Sequence, residues 1–319
     1  MKSTTVRRVG LSIAVATALA SVAACGSSGS SGSSDSSGGS GKDDKAVGKG
    51  ATRVSPIAAL RSAEQSTDKA DSAKVESSTV MGSLMSMDAK GNLGWGDGLT
   101  GTLTMTYTGG TLADTMRAAG STSMEARYLP DAYYARMGEK FAEQADGKHW
   151  IKYDYDDLAK LGGSSGAYLK DQIQNSTPNQ SVKLLLASGD VTKVGTEPVR
   201  GQQTTHYAGT VDVADLAAKN SNLTASQLAA MKKQLTAAGV TTEHVDIWIN
   251  TQDLLVKKIE KGQMSSGQYT QTAFYSDYGV KADATVPPAS DTEDFTALLK
   301  KQGLTPGSGD TATGSGTSS

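Results

Sequence analysis

Along most of the chain, apolar and polar residues alternate with the two-residue period of β-structure, and a helical period breaks in at only a few places. The clearest stretch is Leu99 to Thr108. Leu99, Leu103, Met105 and Tyr107 fall on one side, while Thr100, Thr102, Thr104, Thr106 and Thr108 fall on the other, as in a half-buried antiparallel strand. Val75 to Met87, rich in Val, Thr, Ser and Met, predicts one long strand bent at Gly82, with a turn at Asp88-Ala89-Lys90-Gly91. Ser123 to Tyr128 and Ala132 to Met137 flank a Leu129-Pro130-Asp131 turn, and His149 to Tyr153 is a further short strand. Val191 to Val194 and Gln203 to Val213 are separated by a turn at Glu197 to Gly201. Thr241 to Ile249, Leu254 to Met264 and Gln268 to Tyr278 then form a meander of hairpins.

The helical stretches are punctuated by caps. Ser55 before Pro56 starts a helix through Ile57, Leu60 and Ala63 that ends near Ala70. Tyr155 to Leu161, Tyr168 to Ile173 and Val182 to Ala187 make a helical middle broken by glycines and Pro178. The best-specified helix has Thr224 as N-cap, Gln227 closing a capping box, Leu223 and Leu228 as a hydrophobic staple, and Gly239 as its stop. Its apolar stripe is Leu228, Met231 and Leu235. Strands in long runs, without a strand-helix-strand rhythm, predict an α+β fold in which helices cover one face of a large curved antiparallel sheet.

Composition adds an address. Lys2, Arg7 and Arg8 precede an apolar run, Leu11 to Ala20, that is too short to span a bilayer and reads as a secretory signal. Val22-Ala23-Ala24-Cys25 follows in the form of a bacterial lipobox, so residues 1–24 are expected to be removed and Cys25 to be acylated. An ordinary signal followed by a free thiol is the alternative. Acyl chains contribute roughly 0.8 kcal/mol per buried methylene, so two or three would hold the protein on the extracytoplasmic face of the cell membrane. Residues 26–50 are a Gly/Ser-rich tether with a reach of roughly 25 to 30 Å. Residues 51–303 are expected to form a single domain, and residues 304–319 a disordered polar tail.

Cys25 is the only cysteine, which excludes an internal disulfide framework and a cysteine zinc site. Without Lys2, Arg7 and Arg8 the formal charge moves from −2 to −5, which is not the balance of a nucleic-acid binder. Phosphate-binding glycine loops, a His-Glu-x-x-His helix and a Gly-x-Ser-x-Gly elbow are all missing from the sequence. His149, His206 and His244 lie in separate strands without metal-ligand spacing, although His206 and His244 have a chance to meet across the sheet. Asp154, Asp156 and Asp157 suit a helix cap better than a Ca²⁺ loop. Tyr133-Tyr134, Tyr153 and Tyr155 either line a pocket or pack at a sheet edge. No enzyme, metal or cofactor is expected. Seven of the ten methionines fall between Met81 and Met137, which is either ordinary core filling or a soft apolar face suited to an irregular ligand.

Gly189 to Gly201, Thr204-Thr205-His206-Tyr207, Val245-Asp246-Ile247-Trp248-Ile249, the strand from Leu254 to Glu260, and Tyr275 to Gly279 leading to Val286-Pro287-Pro288 carry a resemblance. Together they resemble the LppX/LprG-type lipoproteins of actinobacteria, within the LolA/LolB-like half-barrel superfamily that also holds the sensor RseB. One departure is the turn Asn250-Thr251-Gln252-Asp253, where such proteins would carry Gly. The resemblance implies an open half-barrel with helices on its concave face, and a non-catalytic, membrane-anchored binder or carrier of a lipid or acylated ligand. Leu103, Met105, Tyr107, Leu228, Met231, Leu235, Val245, Ile247 and Ile249 would enclose that ligand, or equally be plain core. The likeness to RseB allows the alternative of an envelope sensor that grips a protein partner.

Overall fold

The computed structural model describes residues 55–160, 177–217, 223–237, 239–264 and 267–301. The signal and Cys25, the tether, the helix expected at Tyr168 to Ile173 and the C-terminal tail lie outside them. The described residues belong to a compact unit that begins at Ser55. Twelve strands form one sheet in the spatial order β12-β6-β5-β4-β3-β2-β1-β11-β10-β9-β8-β7. The strands are β1 Ser72–Met81, β2 Met85–Gly94, β3 Thr100–Gly109, β4 Ser123–Tyr128, β5 Ala132–Arg136, β6 Trp150–Asp154, β7 Thr192–Val199, β8 Gln202–Asp212, β9 Thr242–Asn250, β10 Leu255–Met264, β11 Gly267–Ser276 and β12 Thr292–Asp294. Neighbours pair antiparallel except β12, which lies parallel to β6, and the two ends do not pair, so the sheet is an open half-barrel.

Helix α1 (Pro56–Lys69) starts where its cap predicts, with Ser55 Oγ accepting from the Ala58 N–H at 3.2 Å. It buries Leu60, Ala63, Glu64 and Thr67. Helix α2 (Gly110–Ala118) follows β3, α3 (Glu139–Ala142) follows β5, and α4 (Tyr155–Lys160) follows β6. Asp154 Oδ1 accepts from the Asp156 and Asp157 N–H groups at 3.0 and 3.2 Å, so the acid cluster caps α4. Helix α5 (Asn179–Ser188) lies against α1, β8 and β9 and is almost entirely buried. The capping box of α6 (Ala225–Ala237) forms: the Thr224 N–H donates to Gln227 Oε1 at 2.9 Å and the Gln227 N–H to Thr224 Oγ1 at 3.2 Å. Helix α7 (Phe295–Lys301) closes the described chain.

Three expectations are corrected. Val75 to Met87 is not one bent strand; β1 ends at Met81 and the chain reverses through Gly82, at φ +52°, into β2. Asp88 to Gly91, expected as a turn, lies inside β2 opposite β1 and β3, and Gly91 is required there because a Cβ would fall 2.0 Å from the Thr102 carbonyl oxygen. The turn before β8 is also tighter than expected, since Glu197 to Val199 belong to β7 and only Arg200 and Gly201 reverse the chain. At Asn250 to Asp253, Asp253 adopts φ +58° in place of a glycine. Asn250 Oδ1 accepts from the Gln252 and Leu254 N–H groups at 3.0 and 2.9 Å, and this closed side-chain turn makes the conformation tolerable.

The principal core lies between the helices and one face of the sheet, here called the inner face. Leu60 and Ala63 of α1 and Val182, Leu184, Leu185 and Leu186 of α5 pack on Val75, Leu93, Leu103, Tyr207, Val211, Val245, Ile247, Ile249 and Leu255. Trp95 Nε1 donates to the Thr67 carbonyl at 3.2 Å, tying the segment after β2 to α1, and Tyr278 Oη donates to the Leu255 carbonyl at 2.5 Å, tying the segment after β11 to β10.

Candidate functional site

Strand register decides what the inner face carries. Val75, Ser77, Thr79 and Met81 of β1 share it with Met85, Met87, Ala89, Gly91 and Leu93 of β2, and β3 adds Leu103, Met105 and Tyr107. Near α1 and α5 this floor is sealed, with Ala73, Val75, Leu93 and Leu103 buried. Toward the Gly82 hairpin it is not: Met81, Met85, Met87, Met105 and Tyr107 are all half-buried. Met124 of β4, opposite Met105, continues the strip into the interior.

Eight of the nine inward side chains named from the sequence lie in or against one cluster. Leu103, Met231, Val245, Ile247 and Ile249 are buried in a single cluster, and Met105, Leu228 and Leu235 pack against it. Tyr107 lies beside an aromatic ladder instead. Tyr128, Tyr133, Tyr153 and Phe295 follow one another with ring centroids 5.2, 5.6 and 4.7 Å apart, joining β4, β5 and β6 to α7. Burial pushes the phenols of Tyr107, Tyr128, Tyr133 and Tyr153 up, so they are neutral polar rims at physiological pH. Tyr133 and Tyr153 are thus interior residues, whereas Tyr134 faces the other side with Ala132 and Trp150.

One group was not legible in the sequence. Lys258 and Glu260 of β10 point inward and are buried at 7% exposure each. Lys258 Nζ donates to Ser181 Oγ of α5 at 2.8 Å and to Glu260 Oε2 at 3.0 Å, and Ser181 Oγ also bonds Glu260 Oε1. Burial opposes the Lys258 charge, but the neighbouring Glu260 carboxylate outweighs it and holds the ammonium ionised. Glu243 of β9, at 5% exposure, completes the group; burial, then Glu260, push its carboxyl up to about 8 against the pull of Lys258. On the next strand Gln271 Nε2 donates to Thr79 Oγ1 at 3.3 Å, and Tyr269 Oη to Glu260 Oε2 at 3.4 Å. The signal was masked by a bulge: β10 shifts register between Leu255 and Lys257, which turns Ile259 outward and the flanking Lys258 and Glu260 inward.

The outer face has a smaller cluster of Val199, Trp248 and Val256 with Ile259 and Phe274. Cations cover it: Arg200 lies 3.9 Å over Phe274 and Lys257 3.9 Å over Trp248. His206 stacks on Trp248 at 4.1 Å and bonds Asp246 Oδ1 at 2.7 Å, while His244 reaches Asp246 Oδ2 at 3.5 Å. The two histidines therefore meet through Asp246. Among the described residues no three His, Cys, Asp or Glu side chains are grouped to hold a metal, and no helix is long and apolar enough to cross a membrane.

No protein-family profile matches the chain. An uncharacterised 31.2 kDa protein of Streptomyces griseus, encoded in the rplA–rplJ intergenic region, is 60% identical over 257 residues, covering 80% of this chain and 84% of the relative. A putative lipoprotein of Streptomyces coelicolor is 50% identical over 310 residues, covering 95% of this chain and 100% of the relative. Among solved structures, the Mycobacterium tuberculosis lipoprotein LppX aligns at 15% identity and TM-score 0.44 over 71% of this chain and 97% of its own. LprF of Mycobacterium bovis aligns at 15% identity and TM-score 0.40 over 73% and 96%. With half of its residues identical across the whole of the Streptomyces coelicolor protein, the chain belongs to the family of that streptomycete putative lipoprotein.

Proposed function

We propose that the protein is a membrane-anchored extracytoplasmic lipoprotein, acylated at Cys25 after loss of residues 1–24, and that its inner face binds a lipid or acylated ligand without catalysis. The anchor rests on the lipobox Val22 to Cys25 and on kinship with a putative lipoprotein. Ligand binding rests on one observation: the inner face is sealed near α1 and α5 but leaves Met81, Met85, Met87, Met105 and Tyr107 half-buried as a contiguous strip over β1 to β3. Thioether side chains bend to fit an irregular chain at little cost, and the strip adjoins apolar residues on the same floor. Of the residues named from the sequence, Met105 and Tyr107 belong to this open strip and Leu228 and Leu235 are partly buried against the core, whereas Leu103, Met231, Val245, Ile247 and Ile249 are sealed within it.

Binding of an environment-sensitive apolar dye, and its displacement by long-chain lipids, tests the reading on the chain from residue 26 onward. Met85→Asp with Met87→Asp should abolish dye uptake while leaving the circular dichroism unchanged. Uptake that survives both substitutions, or no uptake by the parent chain, contradicts it. If a stoichiometric membrane protein co-purifies with a chain that takes up no dye, the inner face serves a protein partner instead. For the anchor, Cys25→Ala should prevent incorporation of a labelled fatty acid.

A further inference from the structure

The inner face divides lengthwise. Methionines and Tyr107 occupy β1 to β3, and beside them, one strand over, stand Thr79, Gln271, Tyr269, Glu260, Lys258 and Glu243 across β1, β11, β10 and β9. Resting on the ligand-binding reading above, we infer that this polar strip selects ligands whose head is uncharged and bears hydroxyl groups.

The argument is one of charge and hydrogen-bond capacity. Lys258 and Glu260 neutralise one another, and Ser181 takes a further share of both. Lys258 is therefore not a free cation for a phosphate or carboxylate, and an anionic head would meet Glu260 and Glu243 in a poorly solvated place. Glu243 is 95% buried on β9, beside Glu260 of the neighbouring β10. With its carboxyl raised to about 8 it is protonated at neutral pH, able both to donate and to accept. Gln271, which donates to the buried Thr79 hydroxyl at 3.3 Å, keeps its amide oxygen and a second amide hydrogen on the half-exposed side of the strip. A cationic head would require Glu243 to ionise next to Glu260. Hydroxyls require no change of charge anywhere.

Three probes that share one acyl chain separate these cases: 1-oleoylglycerol, oleate and oleylamine, competed at equal concentrations and neutral pH and read by native mass spectrometry. The protein is the chain from residue 25 to 319 with Cys25→Ser, so that no acyl group of its own competes. The glycerol ester should bind about tenfold more tightly than either charged probe, the factor expected from one or two hydrogen bonds gained against a charge left without a partner. Glu243→Gln, which keeps a neutral donor and acceptor, should preserve the preference. Glu243→Leu, and separately the half-exposed Gln271→Leu, should reduce it to about twofold or less. Equal binding of all three probes, or tighter binding of oleate or oleylamine, overturns the inference while leaving ligand binding intact. Binding of none overturns both.

Discussion

Replacing Lys258 by Met is the sharpest energetic test of the polar group on the inner face. Lys258 and Glu260 are each 7% exposed and meet at 3.0 Å, with Ser181 as their shared neutral partner. Methionine fills most of the lysine's volume, so the substitution removes a charge without opening a large cavity. It leaves the Glu260 carboxylate without its cation in a buried place, a loss of about 3–5 kcal/mol. Domains commonly have only 5–15 kcal/mol of stability in total. With a urea slope of about 2–3 kcal/mol per M, the unfolding midpoint should fall by about 1–2 M. Lys258→Met combined with Glu260→Leu removes both charges and should recover to within about 1–2 kcal/mol of the parent, because a buried ion pair and a packed apolar pair are close in net value. Urea unfolding followed by tryptophan fluorescence, with Trp95 and Trp248 both buried as reporters, measures each variant. A single substitution that costs less than about 1 kcal/mol, or a double variant as unstable as the sum of the two singles, refutes the assignment of Lys258 and Glu260 as a buried pair.

Other outcomes follow from the same geometry. Because the Glu243 carboxyl is raised to about 8 from its ordinary value near 4.5, the stability of the parent relative to Glu243→Gln should be greatest below pH 4.5 and decline as pH rises through about 8. The limiting slope is about 1.4 kcal/mol per pH unit, and urea midpoints at several pH values that run parallel for the two proteins would contradict it. His149 bonds Asp291 at 2.7 Å and Glu139 at 3.2 Å, and these bonds, the Asp291 one foremost, raise its imidazole above the ordinary 6.5. The hold on the segment Ala289 to Lys301 should therefore be full below pH 6.5 and loosen as pH rises through the folded value, seen as faster C-terminal proteolysis that His149→Gln makes independent of pH. The Tyr155 hydroxyl is buried without a hydrogen-bond partner among the described residues, so Tyr155→Phe should leave thermal stability unchanged or raise it by about 1 kcal/mol, whereas loss of more than that would reveal a bond at this position.

Elements with strong local signals were legible in the sequence. The caps of α1 and α6, the alternating strand from Leu99, and the meander from Thr241 all rest on residues that act within a few positions of themselves. The hairpin at Gly82 was read as a bend because methionines on both sides kept the same apolar pattern through the turn. Helix α2 was missed: it opens at Gly110, and Thr111 and Thr115 dilute a stripe whose buried members are only Ala113 and Met116. β12 was missed because three residues with a buried Glu293, held by Lys148 at 2.5 Å and Lys301 at 3.0 Å, carry no apolar signature.

The candidate site divides in the same way. The apolar members Val245, Ile247 and Ile249 follow from strand period alone, and the register with β8 and β10 turns them toward the helices as expected. The polar members do not follow. Lys257-Lys258-Ile259-Glu260-Lys261 reads as a strand with Ile259 inward, and only the extra residue at Val256 reverses that phase. The neutralisation of Lys258 by Glu260 and Ser181 depends on α5, which is 77 residues away from Lys258 in sequence at Ser181 and invisible to any local pattern.

The most direct measurement is native mass spectrometry of the chain from residue 26 onward, purified from its own host, together with organic extraction of the same sample. The account predicts a discrete added mass on the folded protein that extracts as a lipid, and its loss when Met85 and Met87 are both changed to Asp. A clean unliganded mass that stays clean after incubation with the host's lipids would contradict it.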